Sequence, residues 1–504
     1  MATDTTPDPE RVYADFEDRV KKIYNVGAAQ SVLGWDQQVM MPEGGTPARS
    51  KQLSTLSSIE HDLVVADETG DLIEELTAVE EALTADQRAV LREISRRYER
   101  ATRVPTDLVE RISETTSSAL PVWKEAKAED DFDSFASTLE ELIELKREYA
   151  EHIDPDRDPY EVLFEDYEPY LDLETAERIL ERLRDELVPL IEEIRASDTD
   201  MPAPFEGTYD TDVQEELARE ALSTLGYPWD RGRLDTAPHP FSTGTMFDAR
   251  VTTRFDESDP LGALTSTIHE FGHATYNLGL PEEAYATPLG DSRDMTVHES
   301  QSRLWENHVG RSEAFWELFT PTVSAHFPSV DRSPAEMYAA ANRIYPDNMI
   351  RVEADELTYH LHIILRFEIE RDLIHGDLDV AEVPPVWNDK MEEYLGIRPA
   401  TDTEGCLQDI HWSHASFGYF PTYSLGSVLA AQLYRTAESA IDGLEESIRE
   451  GEFEPLHEWL TANIHRHGCR YTTPELIEEA TGESFSADYF LEYATTKYTD
   501  LYRL

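Results

Sequence analysis

The sequence predicts a mainly α-helical fold with one small β element, and three observations carry that reading. Long stretches rich in Glu, Arg, Leu and Ala repeat their apolar residues at helical spacing. A single segment near the middle of the chain is instead rich in Thr, Val and Phe. With 504 residues, 40% apolar and 10% aromatic, the chain can also bury a large core despite a net charge of -61.

The elements follow in order. From Thr175 to Arg195 the apolar residues Ile179, Leu183, Leu187, Leu190 and Ile191 fall on one stripe, which reads as core packing. Turn-rich segments at 153–159 and 197–212 could be linkers, yet the composition does not shift across them, and no repeat or low-complexity tract divides the chain. Thr243 to Phe255 (TGTMFDARVTTRF) is the strand candidate. A helix is expected to open at Asp259 as N-cap with Pro260 in its first position. It should run to Asn277 or Leu278, with Gly279 as its C-terminal cap. Another helix starts at Asp294.

Within the first of these two helices lies His269-Glu270-Phe271-Gly272-His273. Histidines four apart share a helical face and can reach one ion, while Glu270, turned by about 100°, can stand beside the ion without ligating it. This is the spacing of a zinc peptidase with the glutamate as general base. Chance would give such a pentad in roughly 0.05 chains of this composition, so a surface helix with two ordinary histidines is the weaker reading. The extended motif that supplies a third histidine ligand needs a glycine and then a histidine where Tyr276 and Gly279 stand, so that class is excluded. The third ligand should therefore be a carboxylate from the next helix. Glu299 is favoured, although Thr296 and Glu299 also fit a capping box, and Asp291, Asp294 and Glu306 compete.

Charge narrows the rest. The chain has 104 acidic and 43 basic residues, and the basic ones divide into 8 Lys and 35 Arg. A broad nucleic-acid-binding face is excluded. The acidic residues are spread along the whole chain, as expected for adaptation to a salt-rich cytoplasm, where salt screens self-repulsion. An acidic surface for basic partners is the competing reading. No apolar run approaches the roughly 18 residues of a membrane span, and the first twenty residues do not resemble a signal peptide. Two cysteines, Cys406 and Cys469, make no disulfide framework. A cytoplasmic protein is expected.

Several further segments, taken in order with the pentad, resemble the carboxypeptidase Taq family of metallocarboxypeptidases. They are Trp35-Asp36 with Met41-Pro42, His239-Pro240-Phe241, Asp248-Ala249-Arg250-Val251-Thr252, and His298-Glu299-Ser300-Gln301. Downstream come Ile350-Arg351-Val352-Glu353-Ala354-Asp355 and Gly405-Cys406-Leu407-Gln408-Asp409-Ile410-His411-Trp412. The acidic composition suggests a haloarchaeal-type member. The resemblance implies one catalytic domain over 1–504, with a large helical zincin-type fold, a deep active-site groove and a small sheet beside the metal helix. It also implies Glu299 as the third ligand, one Zn2+ per subunit with Co2+ as a possible substitute, and a homodimer. The implied activity is release of single residues from peptide C-termini with broad side-chain tolerance.

The chemistry assigns the remaining roles. A site of two histidines and a carboxylate keeps a position open for water, lowers that water's pKa and polarises a carbonyl. Glu270 would take the water's proton and pass it to the leaving amine. The oxyanion needs fixed donors, for which His411, Tyr423 and Tyr419 are the candidates, weighed against aromatic packing. A free terminal carboxylate needs a local cation in so acidic a protein. Arg351 is the first choice and Arg250 the second, each weighed against a structural ion pair. The strand candidate could also pair with extended substrate main chain. Two other readings remain: an endo-acting oligopeptidase on the same fold, and a non-catalytic peptide-binding scaffold with a relic site, against which an intact Glu270 speaks.

Overall fold

The computed structural model describes residues 8–504. It is mainly helical with one three-stranded sheet. At the N-terminal end the helices Pro9–Val39, Thr46–Val65, Asp67–Thr77 and Ala85–Arg103 surround a small core of their own, in which Phe16, Val20, Leu76, Val90 and Ile94 are buried. The rest of the chain shares one larger core. Ile153 and Tyr160 flank the first turn-rich segment and Ile194 and Leu217 the second, and all four belong to that core. Both segments therefore turn within one packed body.

The helix read from Thr175 to Arg195 spans Leu173–Ala196, and its whole predicted stripe is buried. Asp172 caps it by accepting the Thr175 N–H at 2.7 Å.

The strand candidate is a hairpin rather than one strand. β1 (Gly232–Thr236), β2 (Ser242–Thr245) and β3 (Asp248–Thr253) stand in the order β1-β3-β2, with β1 parallel and β2 antiparallel to β3. Thr245 pairs with Asp248, so Met246 and Phe247 form a two-residue turn, and Phe255 lies beyond the strand. β1 escapes sequence reading because only Leu234 of its five residues is buried.

The metal-motif helix spans Pro260–Gly279 and opens as expected, with Asp259 accepting the Gly262 N–H at 2.9 Å. Its end differs from expectation. Leu280, in extended conformation, is the cap, and Gly279 is the last helical residue. The glycine is needed for close approach, because a Cβ there would stand 2.3 Å from His465 Nδ1.

The next helix, Met295–Arg303, is capped by Asp294, which accepts from Val297 N–H at 3.2 Å. The Thr296–Glu299 capping box is absent: the Thr296 N–H goes to Glu168 Oε1 at 2.7 Å, which leaves the Glu299 side chain free for the site. Glycines on either side hold this helix close. A Cβ on Gly272 would meet Ser302 Cα at 2.5 Å, and one on Gly426, in helix Pro421–Ala440, would meet Glu299 Cβ at 2.5 Å. After Arg303 the chain widens into a π-helical turn over Leu304–Gly310. Among the described residues no helix is long and apolar enough to cross a membrane.

Candidate active site

His269 and His273 project from adjacent turns of helix Pro260–Gly279 and meet Glu299 from helix Met295–Arg303. One ligand atom from each lies within 4.8 Å of the others. Glu299 Oε2 stands 3.8 Å from His269 Nε2 and 3.6 Å from His273 Nε2, too far for direct hydrogen bonds and suited to three ligands around one cation.

The outer atoms of His269 and Glu299 are already engaged, whereas His273 Nδ1 is buried with no protein partner. His269 Nδ1 faces Glu306 Oε2 at 2.9 Å, which turns Nε2 inward. Arg303 Nε donates to Glu299 Oε1 at 2.7 Å, leaving Oε2 toward the histidines. Arg303 and Arg311 also donate to Glu306, at 3.1 and 2.9 Å. Burial alone would raise both carboxyl pKa values. Arg303 and the histidines outweigh it at Glu299, and Arg303 and Arg311 at Glu306, so both are held well below the usual range. Glu306, a competing ligand on sequence grounds, instead braces His269 from outside the cluster. Of the other competitors, Asp294 is spent as a helix cap, and Asp291 is outside the metal-ligand cluster. These donors and their orientation fit a divalent cation.

Glu270 is buried beside the ligands, its Oε2 has no protein partner, and burial raises its pKa. His298, adjacent to Glu299, stacks on His273 with ring centroids 4.1 Å apart.

A cavity of about 760 Å³ opens at His269, and Arg303, Glu306, Arg351 and Tyr359 also line it. Behind Arg351 and Tyr359 of its lining the downstream candidates come together. His411 Nε2 lies 3.5 Å from the Tyr423 hydroxyl, and Tyr419 stacks on the His411 ring with centroids 5.7 Å apart. Burial lowers the His411 pKa to about 4, which keeps the imidazole neutral at pH 7. The Arg351 guanidinium carbon lies 5.5 Å from the centre of the Tyr423 ring, and its Nη1 donates to the Tyr359 hydroxyl at 3.3 Å. Tyr359 in turn lies under Arg303, 5.0 Å from ring centre to guanidinium carbon. The metal cluster and the downstream candidates thus connect through Glu299, Arg303, Tyr359 and Arg351.

Arg250 stands apart from this group. It lies on β3, holds Asp248 with Nη2 at 2.6 Å, and covers the Trp35 ring at 4.2 Å. It lines a different cavity of about 450 Å³, between the first helix and β2. His414 is exposed, and both cysteines are buried and unbonded to each other.

Sequence reading missed Arg303, Arg311, Tyr359 and the bracing role of Glu306. The spacing of Glu299, Arg303 and Glu306, four and then three apart on one helical face, was the available signal.

A helical fold in which His-Glu-x-x-His and a carboxylate from the following helix converge beside a large cavity defines a metallopeptidase. Comparison narrows the class. Residues 15–498 match the model of the carboxypeptidase Taq (M32) metallopeptidase family, and the chain belongs to that family of metallocarboxypeptidases. It is 39% identical over 485 residues to thermostable carboxypeptidase 1 of Pyrococcus furiosus, covering 95% of this chain and 97% of that one. It is 35% identical to carboxypeptidase 1 of Bacillus subtilis, covering 97% and 98%. The crystal structure of an M32 carboxypeptidase from Deinococcus radiodurans R1 superposes with a TM-score of 0.95 at 35% identity, covering 98% of this chain and all of that one.

Proposed function

We propose that this chain is a zinc-dependent carboxypeptidase that releases single residues from the C-termini of peptides with broad side-chain tolerance. The observation that carries the reading is one cavity lined both by His269 of the metal cluster and by a buried arginine, Arg351. His269, His273 and Glu299 would hold one Zn2+ per subunit, with Co2+ as a substitute; when bound, the ion supplies a Lewis acid that activates water and polarises the scissile carbonyl.

Glu270 accepts the proton of the attacking water and returns it to the leaving amine; its unpartnered, buried carboxyl oxygen suits that task. Tyr423 and His411 supply donors for the oxyanion, with Tyr419 packed against both to fix them. Arg351 receives the terminal carboxylate on its Nη1/Nη2 edge, since Asp409 occupies the other edge, formed by Nε and one hydrogen of Nη2. Arg250, paired with Asp248 and lining its own cavity, is the second choice for that carboxylate and the arginine to test next should Arg351 prove structural. The family match over 15–498 supports reading 1–504 as one catalytic domain. The working form is a cytoplasmic homodimer adapted to high salt.

The test is a matched pair of peptides, one free and one C-terminally amidated. Wild type should prefer the acid. Arg351→Ala should lower kcat/KM for the acid about 10- to 150-fold, the equivalent of roughly 1.5–3 kcal/mol from a charged hydrogen bond, with metal content unchanged. Equal cleavage of acid and amide by wild type, with internal products, would make the enzyme an endo-acting oligopeptidase.

Salt adaptation has its own measurement. The Debye length grows from about 3 Å at 1 M salt to about 10 Å at 0.1 M, so a charge of -61 repels itself far more in dilute buffer. Helical circular dichroism and activity should fall on dialysis to low salt. An unchanged thermal midpoint would remove the halophilic reading.

A further inference from the structure

Asp409 has no role in the chemistry above, yet it sits between two arginines. Its Oδ1 accepts from Arg351 Nε at 2.9 Å and Nη2 at 2.8 Å. Its Oδ2 accepts from Arg366 Nε at 2.5 Å. Arg366 comes from helix Thr358–His375 and is wholly buried; its Nη1 donates to the His362 carbonyl at 2.6 Å, and its Nη2 has no protein partner. The neighbouring Gln408 holds the main chain of the same Arg351. Gln408 Oε1 accepts the Arg351 N–H at 2.9 Å, and its amide nitrogen donates to Met349 O and Glu404 O at 3.2 and 2.7 Å. One short loop therefore grips Arg351 by backbone and side chain.

The geometry has an electrostatic consequence. Two buried guanidinium groups face one carboxylate, and both lie over the Phe420 ring, with guanidinium carbons 5.8 and 5.7 Å from its centre. Without the carboxylate, like charges would confront each other in a desolvated pocket, and Arg351 could relieve that only by swinging away. Arg366 cannot move in turn, because it is enclosed by its helix and by Trp387, 4.5 Å away.

We propose that Asp409, anchored by Arg366, is a positioning residue that holds the Arg351 guanidinium with its Nη1/Nη2 edge toward the terminal carboxylate of the peptide. The pair sets selectivity for a free C-terminus without touching substrate. This proposal rests on the reading of Arg351 given above.

The experiment measures kcat/KM on the matched acid and amide peptides for wild type, Arg351→Ala, Asp409→Asn and the double variant, with metal content checked. The acid-to-amide ratio cancels whatever a substitution does to the chemical step, and a merely structural defect slows both substrates alike. Asp409→Asn should cut the ratio by about 10-fold or more, and adding it to Arg351→Ala should change the ratio by less than about 2-fold. An unchanged ratio in Asp409→Asn, or an additive double variant, overturns the proposal and leaves the carboxypeptidase reading standing. A wild type indifferent to amidation defeats both. Should Asp409→Asn not fold, Arg366→Lys keeps the charge but loses the planar Nε–H donor. Its ratio should fall as well, and an unchanged ratio there is equally fatal.

Discussion

The metal cluster and the cluster around Arg351 carry opposite formal charge. On the metal side, Glu299 and Glu306 face Arg303 and Arg311, with Glu270 and two histidines alongside, so the formal count of the cluster is one charge negative. On the far side, Arg351 and Arg366 share Asp409, so that cluster is one charge positive. The first imbalance suits a divalent ion and the second a peptide carboxylate. A chain of net charge -61 makes a locally positive cluster by burying two arginines against one aspartate. The difference teaches that local charge in this protein is set by buried pairing and owes little to composition.

Breaking the metal side should cost most. Glu299→Ala leaves two protein ligands, and the dialysed variant should contain no metal and show no peptidase activity. Glu270→Gln keeps all three ligands and nearly the same volume. It should bind metal as wild type does, yet lose about 10²–10⁴ in kcat, or roughly 3–5 kcal/mol of barrier lowering. Metal content and turnover, measured on the same samples, separate the two. A metal-loaded Glu270→Gln that kept above about a tenth of wild-type turnover would remove the general base assigned here.

On the far side, Tyr423→Phe deletes one hydroxyl and keeps the ring that packs on Tyr419 and Tyr359. Loss of one oxyanion donor should lower kcat by about 10²-fold and leave both metal content and the acid-to-amide ratio unchanged. A drop in the ratio would mean that Tyr423 acts on the terminal carboxylate with Arg351, and the division of labour proposed on this side would need redrawing.

The two sides were also unequally legible in the sequence. His269, Glu270 and His273 announce themselves because four-residue spacing on one helix is itself the geometry of the site. The helix's opening was readable for the same reason, since Asp259 and Pro260 act within a single turn. The far side has no such local code. Arg351, Tyr359, Arg366, Asp409 and Tyr423 come from the 351–353 turn, two helices and a loop, and only packing makes them neighbours. Asp409 stood in a family-like motif with no task because its partner Arg366 lies 43 residues away. The failures near the metal helix share this cause. Gly279 looked like a cap because its contact, His465, is remote, and Thr296 looked like half a capping box because Glu168, which takes its N–H, is 128 residues distant.

Glu306 gives the smallest and most discriminating effect, because it stands one step behind a ligand. Its Oε2 faces His269 Nδ1 at 2.9 Å, and both oxygens are shared with Arg303 and Arg311. Removing the side chain frees the His269 ring to rotate and leaves Arg303 to pull on Glu299 alone, so two of the three ligands lose their alignment without any being lost. Partners at this remove typically contribute about 10- to 100-fold in metal affinity, so Glu306→Ala should weaken binding by about that factor while remaining active in excess zinc. Glu306→Gln should fall between, because its amide oxygen can still accept one of the three donors but carries no charge to balance two arginines. Chelator competition gives the affinities, and activity restored by added zinc gives the second readout. Wild-type affinity in Glu306→Ala would reduce the residue to an ion-pair partner of Arg311. A variant that cannot be reloaded at any zinc concentration would place Glu306 among the ligands, beside Glu299.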